Sequence, residues 1–313
     1  MSNTAFKTYD QVGIKEDISD VISNISPTNT PFQTLVKTES VANTLFQWQE
    51  DSLAAVGANA AVEGADASDS TLNPTTMRSN YTQIMTKTVR VSNTADTVST
   101  YGRAKETALQ LSKKSSELKR EFEYALLGVA QNAAVGNETT ARKFGNVFGN
   151  GASGAALIAA GNVVDHTATP AALSENDVLS ANQKLYEGGG EAQILMIKPG
   201  DSLLVAGFTA AAGRTRMFDG SADKTIVNVV NLYVSPFGEQ KVVLNRFIKA
   251  DSALLFAPQY WKIAVLRPWA RIPLAVTGDA HRTQIIGEFS LKHLNAGASA
   301  AIKGLTGANP NVT

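Results

Sequence analysis

The longest regular alternation of apolar and polar positions runs from Arg103 to Ala133. Ala104, Ala108, Leu111, Ser115, Leu118, Phe122, Ala125 and Val129 recur in steps of four and three, so small or apolar residues share one narrow stripe. Lys113, Lys114, Glu117, Lys119, Arg120, Glu121 and Glu123 are expected on the opposite, outward face. The pattern predicts one uninterrupted helix, about 45 Å long at ~1.5 Å per residue, which must run along another part of the fold. Ala and Ser at its start let a backbone or sheet approach closely, while Leu, Phe and Val further on anchor in a core. Gly136 and Asn137 supply the stop.

Around this helix the periods are shorter. Residues 1–40 read as an arm with one short helix, in which Asp17, Ile18, Val21, Ile22 and Ile25 form a face ended by Ser26-Pro27. Thr44–Glu50 alternates as a strand, as does Thr86–Ser92 with Asn80–Met85 as its extension, and a polar loop from Asp51 to Arg78 separates them. A two-stranded ribbon is marginal alone, so Phe46, Trp48, Tyr81 and Val89 need cover from their own domain or from another chain. A connection of this length is either a floppy tip or an arm that orders on a neighbour.

Residues 171–250 have an α/β rhythm. Ser174 and Asp177 make a capping box for a helix over 175–187, ended by Gly188-Gly189-Gly190. Ile194–Ile197 reads as a buried strand, followed by a second helical stretch after Pro199-Gly200-Asp201. Strands over 225–234 and 241–247 are joined by Ser235-Pro236-Phe237-Gly238, which carries type I turn residues. In the last third, 253–257 and 261–266 are apolar strands, the second closed by Arg267-Pro268-Trp269. Ile285, Gly287, Phe289 and Leu291 alternate with Ile286, Glu288, Ser290 and Lys292 as a half-buried strand, and the Ala-, Gly- and Asn-rich tail is expected to fray.

Composition narrows the chemistry. The 313 residues carry 28 Lys plus Arg against 28 Asp plus Glu, so no global field points to nucleic acid, and the helix's basic residues are interleaved with Glu. That leaves at most weak, non-specific contact with DNA. There is no cysteine, which removes disulfides, thiolate nucleophiles and Cys metal sites. No signal-peptide pattern opens the chain and no apolar run is long enough to span a membrane, so a soluble, non-secreted chain is expected. Only 18% of residues are charged, as when much of the surface meets other protein. His166, His281 and His293 share no metal spacing, no Gly-x-Ser-x-Gly elbow is present, and no cofactor is expected. Gly149-Asn150-Gly151-Ala152-Ser153-Gly154 formally matches a dinucleotide fingerprint, but it follows a poor strand rather than a buried one. Arg214 and Arg216 lie with Asp219, Asp223 and Lys224 in a turn-rich loop that reads as solvated or as an interface.

The segment order of arm, ribbon, long helix, α/β insert and returning sheet resembles the tailed-phage major capsid fold of the Hong Kong 97 type, an α+β fold. Collinear motifs sharpen the likeness: Ile25-Ser26-Pro27-Thr28-Asn29-Thr30-Pro31-Phe32, Phe46-Gln47-Trp48-Gln49-Glu50-Asp51-Ser52-Leu53, Ala61-Val62-Glu63-Gly64-Ala65-Asp66, Asn80-Tyr81-Thr82-Gln83-Ile84, Pro258-Gln259-Tyr260-Trp261, Leu266-Arg267-Pro268-Trp269 and Thr277-Gly278-Asp279-Ala280. Together they are similar to a family of phage major head proteins. The resemblance implies an N-terminal arm (1–40), an extended E-loop (41–97), a peripheral domain with the spine helix (98–175 and 245–313) and an axial domain (176–244). It implies a structural, non-enzymatic protein that self-assembles through hexamers and pentamers into the icosahedral head of the virion. Phe46, Trp48, Glu50, Asp51, Glu63, Asp66, Arg78, Tyr81, Arg214 and Arg216 are the expected subunit-interface residues. The E-loop tip from Asp51 to Met77 has no lysine, so a lysine–asparagine cross-link through it is not expected, and non-covalent contacts or a cement protein would hold the shell. The short arm implies a separate scaffolding protein, Met1 arguing against prior cleavage, and a portal protein is the other expected partner. The alternatives are an encapsulin-like nanocompartment shell and, from another class, a nucleotide-binding enzyme using the loop Gly149–Gly154.

Overall fold

The computed structural model describes residues 28–64, 66, 69–70, 72–98, 105–211 and 232–307. In chain order the elements are α1 (Pro31–Leu35), β1 (Lys37–Ser40), β2 (Leu45–Glu50), β3 (Thr76–Tyr81), β4 (Gln83–Ser92), α2 (Asn93–Thr97), α3 (Glu106–Leu127), β5 (Val163–Asp165), α4 (Glu175–Glu187), β6 (Ile194–Ile197), α5 (Ser202–Ala211), β7 (Leu232–Ser235), β8 (Gly238–Leu244), β9 (Ser252–Phe256), β10 (Trp261–Pro273), β11 (Ala280–His293) and β12 (Ser299–Lys303). The helical face at 17–25, the first residues of the predicted long helix, and most of the predicted strand over 225–234 lie outside the described residues.

The long helix is α3, and it ends at Leu127 rather than at Ala133. Its last carbonyls are taken by donors from elsewhere: Asn146 Nδ2 donates to Ala125 O, Val147 N to Leu126 O and Lys249 N to Leu127 O. With those acceptors satisfied by crossing segments, the chain turns away at Gly128 without exposing an unpaired helix end. Its start is capped from α2, where Asp96 accepts from Thr107 N. Glu123, expected on the outward face, is instead fully buried.

The strands form a four-stranded sheet ordered β1-β10-β11-β4, a six-stranded sheet ordered β5-β12-β9-β6-β8-β7, and the separate ribbon β2-β3. The predicted second ribbon strand is split. Residues 76–81 pair with β2, while after Thr82 the chain crosses over and β4 pairs with β11. β10 runs on past Arg267 to Pro273, because Pro268, which lacks an N–H, falls in the register shift between Arg267 and Ala270. α3 lies on the four-stranded sheet, with Phe122 against Phe289 and Trp269. Gly287 makes this contact possible, since a Cβ there would overlap both the Phe289 and Trp269 rings.

Six-stranded-sheet residues alternate between two cores. Ile194, Met196, Leu254, Phe256 and Ala301 face a cluster that includes Phe32, Trp48, Phe122, Leu126, Phe144 and Trp261. Leu195, Ile197, Ala253, Leu255, Ala300 and Ile302 face α4 and α5 through Val178, Ala181, Leu185, Val205 and Phe208. The sheet is therefore buried on both faces, which explains the unbroken apolar run of β6. It also draws in β5, β9 and β12, so it extends beyond the segment 176–244 expected to form a separate domain. The tail expected to fray contributes the interior strand β12, whose Ala300, Ala301 and Ile302 are completely buried. The capping box of α4 and the turn between β7 and β8 form as the sequence predicts, with Gly238 at φ +125°.

Candidate assembly interface

The ribbon is anchored at its root by polar contacts, partly buried at Glu50 and Arg78 and buried at Asn80. Arg78 Nε meets Glu50 Oε2 at 2.7 Å, Arg78 Nη1 donates to Ala156 O, and Glu50 Oε1 accepts from Ala296 N at 3.0 Å. Asn80, with no exposed surface, donates to Gly145 O and Leu291 O and accepts from Gly145 N. Trp48 stacks on Phe46 with ring centroids 5.7 Å apart and is buried in its own subunit's core. At the crossover, Glu288 is buried among Thr82, Arg142 and Arg267. Burial works against its charge, but Thr82 and the two guanidinium groups outweigh it and hold its pKa below the ordinary carboxylate value.

Beyond this root, the described residues between Asp51 and Thr75 are all exposed. Leu53, Val56, Val62 and Leu72 are each at least 80% exposed. The same segment carries Asp51, Glu63, Asp66 and Asp69 and neither lysine nor arginine. Isolated exposed apolar side chains are ordinary; here four lie on one acidic loop. The expected interface residues thus separate into two groups. Phe46, Trp48, Glu50, Arg78 and, partly buried, Tyr81 build or flank the root, and Asp51, Glu63 and Asp66 are exposed on the loop. Arg214 and Arg216 lie outside the described residues. The four exposed apolar loop residues were not among the expected interface residues because they follow neither helical nor strand period; their sequence signal is large apolar side chains in a polar, Gly- and Ala-rich stretch.

A second polar junction ties the arm's exit to α3. Glu123 accepts from Phe32 N at 2.8 Å, Gln33 N at 3.1 Å and Asn245 Nδ2 at 2.7 Å. Burial pushes its pKa up, against the pull of these three donors. A third lies between the sheets, where His293 stacks on Trp261 at 3.9 Å and bonds Leu157 O and Ser299 Oγ. Desolvation lowers its pKa to about 4.

The glycine-rich loop offers no cradle for phosphate. The amides of Gly149, Asn150, Gly151, Ala152 and Gly154 donate to Asn146 O, Asn132 Oδ1, Ala155 O, Ser79 O and Gly151 O. A Cβ at Gly149 would overlap the Gln131 carbonyl, and one at Gly145 the Asn150 carbonyl. These glycines serve close backbone packing, so the dinucleotide reading has no donor set to stand on. On α3, Glu117 is paired with Lys114 and with Lys87 of β4, and Lys87 also with Glu121. Lys114 and then Lys87 hold the Glu117 pKa down at about 2. Among the described residues, no helix is long and apolar enough to cross a membrane.

A long helix lying on an antiparallel sheet, a second sheet buried between helices and core, and a projecting ribbon define the phage capsid fold of the Hong Kong 97 type. The solved capsid of a native GTA particle superposes with a TM-score of 0.64 at 13% identity, over 98% of this chain and 100% of that one. That of Microbacterium phage Oxtober96 gives 0.62 at 12% identity, over 94% and 96%. The SrpI encapsulin of Synechococcus elongatus PCC 7942 gives 0.60 at 10% identity, over 96% of each, and shares the fold. In sequence, the major capsid protein of Escherichia phage Phieco32 is 35% identical over 343 residues, covering 96% of each chain. The SU10 major capsid protein family model matches residues 1–306, and the chain belongs to that family. It is a phage major capsid protein, built into the icosahedral shell of the virion, and the encapsulin likeness is one of fold.

Proposed function

We propose that the loop over 51–75 is the inter-subunit clasp of this shell, laid on an adjacent copy within hexamers and pentamers. The observation that carries this is the exposure of Leu53, Val56, Val62 and Leu72 on a loop whose root is fixed by Glu50–Arg78 and Asn80. The chemistry of the complementary surface is present on the chain itself: the end of the β10–β11 hairpin exposes Arg271, Ile272 and Val276, basic and apolar where the loop is acidic and apolar. Repetition of one such heterologous contact around a ring closes a capsomer. Asp51, Glu63 and Asp66 act at the contact, while Trp48, Glu50 and Arg78 set the direction from which the loop leaves.

The role is mechanical, with no catalysis proposed. A portal and a scaffolding protein are the further partners, with non-covalent contacts or a cement protein holding the shell in place of a cross-link. Pairing of Lys87 and Lys114 with glutamates supports only weak, salt-sensitive contact with packaged DNA. Replacing Leu53, Val56, Val62 and Leu72 together by serine tests the clasp. The variant should keep the wild-type circular dichroism and melting of the subunit yet fail to form shells in negative-stain images. Wild-type shells from this variant would overturn the proposal.

A further inference from the structure

The four-stranded sheet carries α3 on one face only. Met85, Ile285 and Phe289 lie on that side, within the core. By the alternation of the strands, Ile84 and Arg90 of β4, Arg282 and Ile286 of β11 and Ile272 of β10 point the other way. That face is open: Ile84 and Ile272 are 48% and 43% exposed, and Arg90 is exposed beside them. Arg90 and Arg282 stand directly opposite each other, a pairing of like charges that destabilises adjacent strands. Among the described residues neither guanidinium has an ion pair, and Arg282 Nε is buried with no hydrogen-bond partner. The carboxylates at the two ends of the face are already engaged: Asp279 accepts from Asn93 Nδ2, and Glu288 is held by Thr82, Arg142 and Arg267.

We propose that Arg90 and Arg282 are the seat for carboxylates of the 51–75 loop of a second copy, an inference that rests on the clasp reading and names its receiving surface. The two surfaces match in kind. The loop combines Asp51, Glu63, Asp66 and Asp69 with exposed Leu and Val and has no basic residue, while the face combines two unpaired guanidiniums with exposed isoleucines. The isoleucines decide the class of partner, since a phosphate backbone has nothing apolar to cover them and the loop has. Position decides which copy supplies it. Glu50 holds the loop's root on Ala296, just past the end of β11 at His293, whereas Arg282 stands near that strand's start, roughly 36 Å away at ~3.3 Å per residue. The chain's own loop therefore leaves from the far end of β11, and a neighbour in the ring brings its loop to the arginines. Carboxylates set against both guanidiniums remove their repulsion, so a pair that weakens the lone subunit strengthens the shell.

The test is the double variant Arg90→Gln with Arg282→Gln in the full-length protein. Its free subunit should melt at or above the wild-type temperature, while shells in negative-stain images should need about tenfold more protein to form, for the loss of charge-assisted contacts. Because the chain has no cysteine, Arg282→Cys with Glu63→Cys and, separately, Arg282→Cys with Asp66→Cys can be oxidised in shells and should give disulfides joining two chains on gels with peptide mapping. The quadruple serine variant of the clasp, run alongside, separates the two readings. Loss of shells by the serine variant with wild-type assembly of the arginine variant would overturn the seat and leave the clasp standing; wild-type shells from both would overturn the two together. Disulfides within one chain, or cross-linking of both pairs no better than with Arg282→Cys alone, would overturn the seat. So would a fall in the subunit's melting temperature that accounts for the lost shells, or unchanged shells that hold less nucleic acid.

Discussion

Acid should loosen the junction between the two sheets at His293, and by an amount the structure sets. Nδ1 lies 2.7 Å from Leu157 O, an acceptor only, so Nδ1 carries the proton and donates. Nε2 is therefore an acceptor, fed by Ser299 Oγ at 3.0 Å, and Ser299 Oγ in turn accepts from Trp261 Nε1 at 2.9 Å. The relay is complete only with a neutral ring; a proton on Nε2 would turn the serine hydroxyl away with no acceptor provided. Burial is the main reason that the pKa falls from 6.5 to about 4, with the positive charge of Arg78 adding to it. A cation stacked on Trp261 would recover ~0.5–2 kcal/mol, less than desolvation removes. At ~1.36 kcal/mol for each tenfold change in proton affinity, the displacement amounts to about 3 kcal/mol. The sign follows from linkage: between pH 6.5 and 4 the unfolded chain binds the proton and the folded one does not. This stability is whole above 6.5 and is lost as pH falls towards 4. Denaturant unfolding of unassembled subunits at pH 7.5, 6.0 and 4.5 should therefore show a steeper acid loss for the wild type than for His293→Gln, by about 2.5 kcal/mol over the range. Parallel pH profiles for the two proteins would refute the reasoning.

Glu123→Leu takes the acceptor from Phe32 N and Gln33 N and leaves Asn245 Nδ2 only the weak Met196 Sδ acceptor, and should cost about 3 kcal/mol at neutral pH by denaturant titration, at ~1–3 kcal/mol for each stranded donor; a loss below about 1 kcal/mol would mean that the arm root does not depend on this carboxylate. Gly149→Ala should lower stability by roughly 2 kcal/mol or more, because its Cβ would overlap the Gln131 carbonyl, while Gly161→Ala, with open space around it, should change little. Equal melting temperatures for the two alanine variants would contradict the packing role given to Gly149.

How far the sequence carried depended on whether a pattern was local. The helix 175–187 with its Ser174–Asp177 box and the 235–238 turn rest on contacts within a few residues, and both appear; the strand through Ile285–Leu291 also appears, but Glu288 and Ser290, expected on its polar face, are buried, so it is covered on both faces there. The end of α3 is not local, because Asn146, Val147 and Lys249 approach from distant segments to take its last carbonyls. Pairing is likewise non-local: Thr86–Ser92 has strand chemistry, but nothing in it says that β11 rather than β2 is its neighbour. The Ala-rich tail looked frayed because small residues carry little apolar signal, yet a sheet covered on both faces demands small residues where helices pack closely. Glu123 looked solvated because a buried carboxylate is rare, and its three donors come from residues about ninety and more than a hundred positions away. Asp51, Glu63 and Asp66 were expected at the interface from family resemblance, whereas the apolar set on the same loop needed exposure to be seen.

The clasp is tested most directly by a cryo-electron microscopy reconstruction of the assembled shell. The account predicts residues 51–75 lying on an adjacent subunit, with Leu53, Val56, Val62 and Leu72 covered by it and the acidic residues near its Arg271. A loop folded back on its own subunit, or left in solvent while shells stand intact, would contradict it.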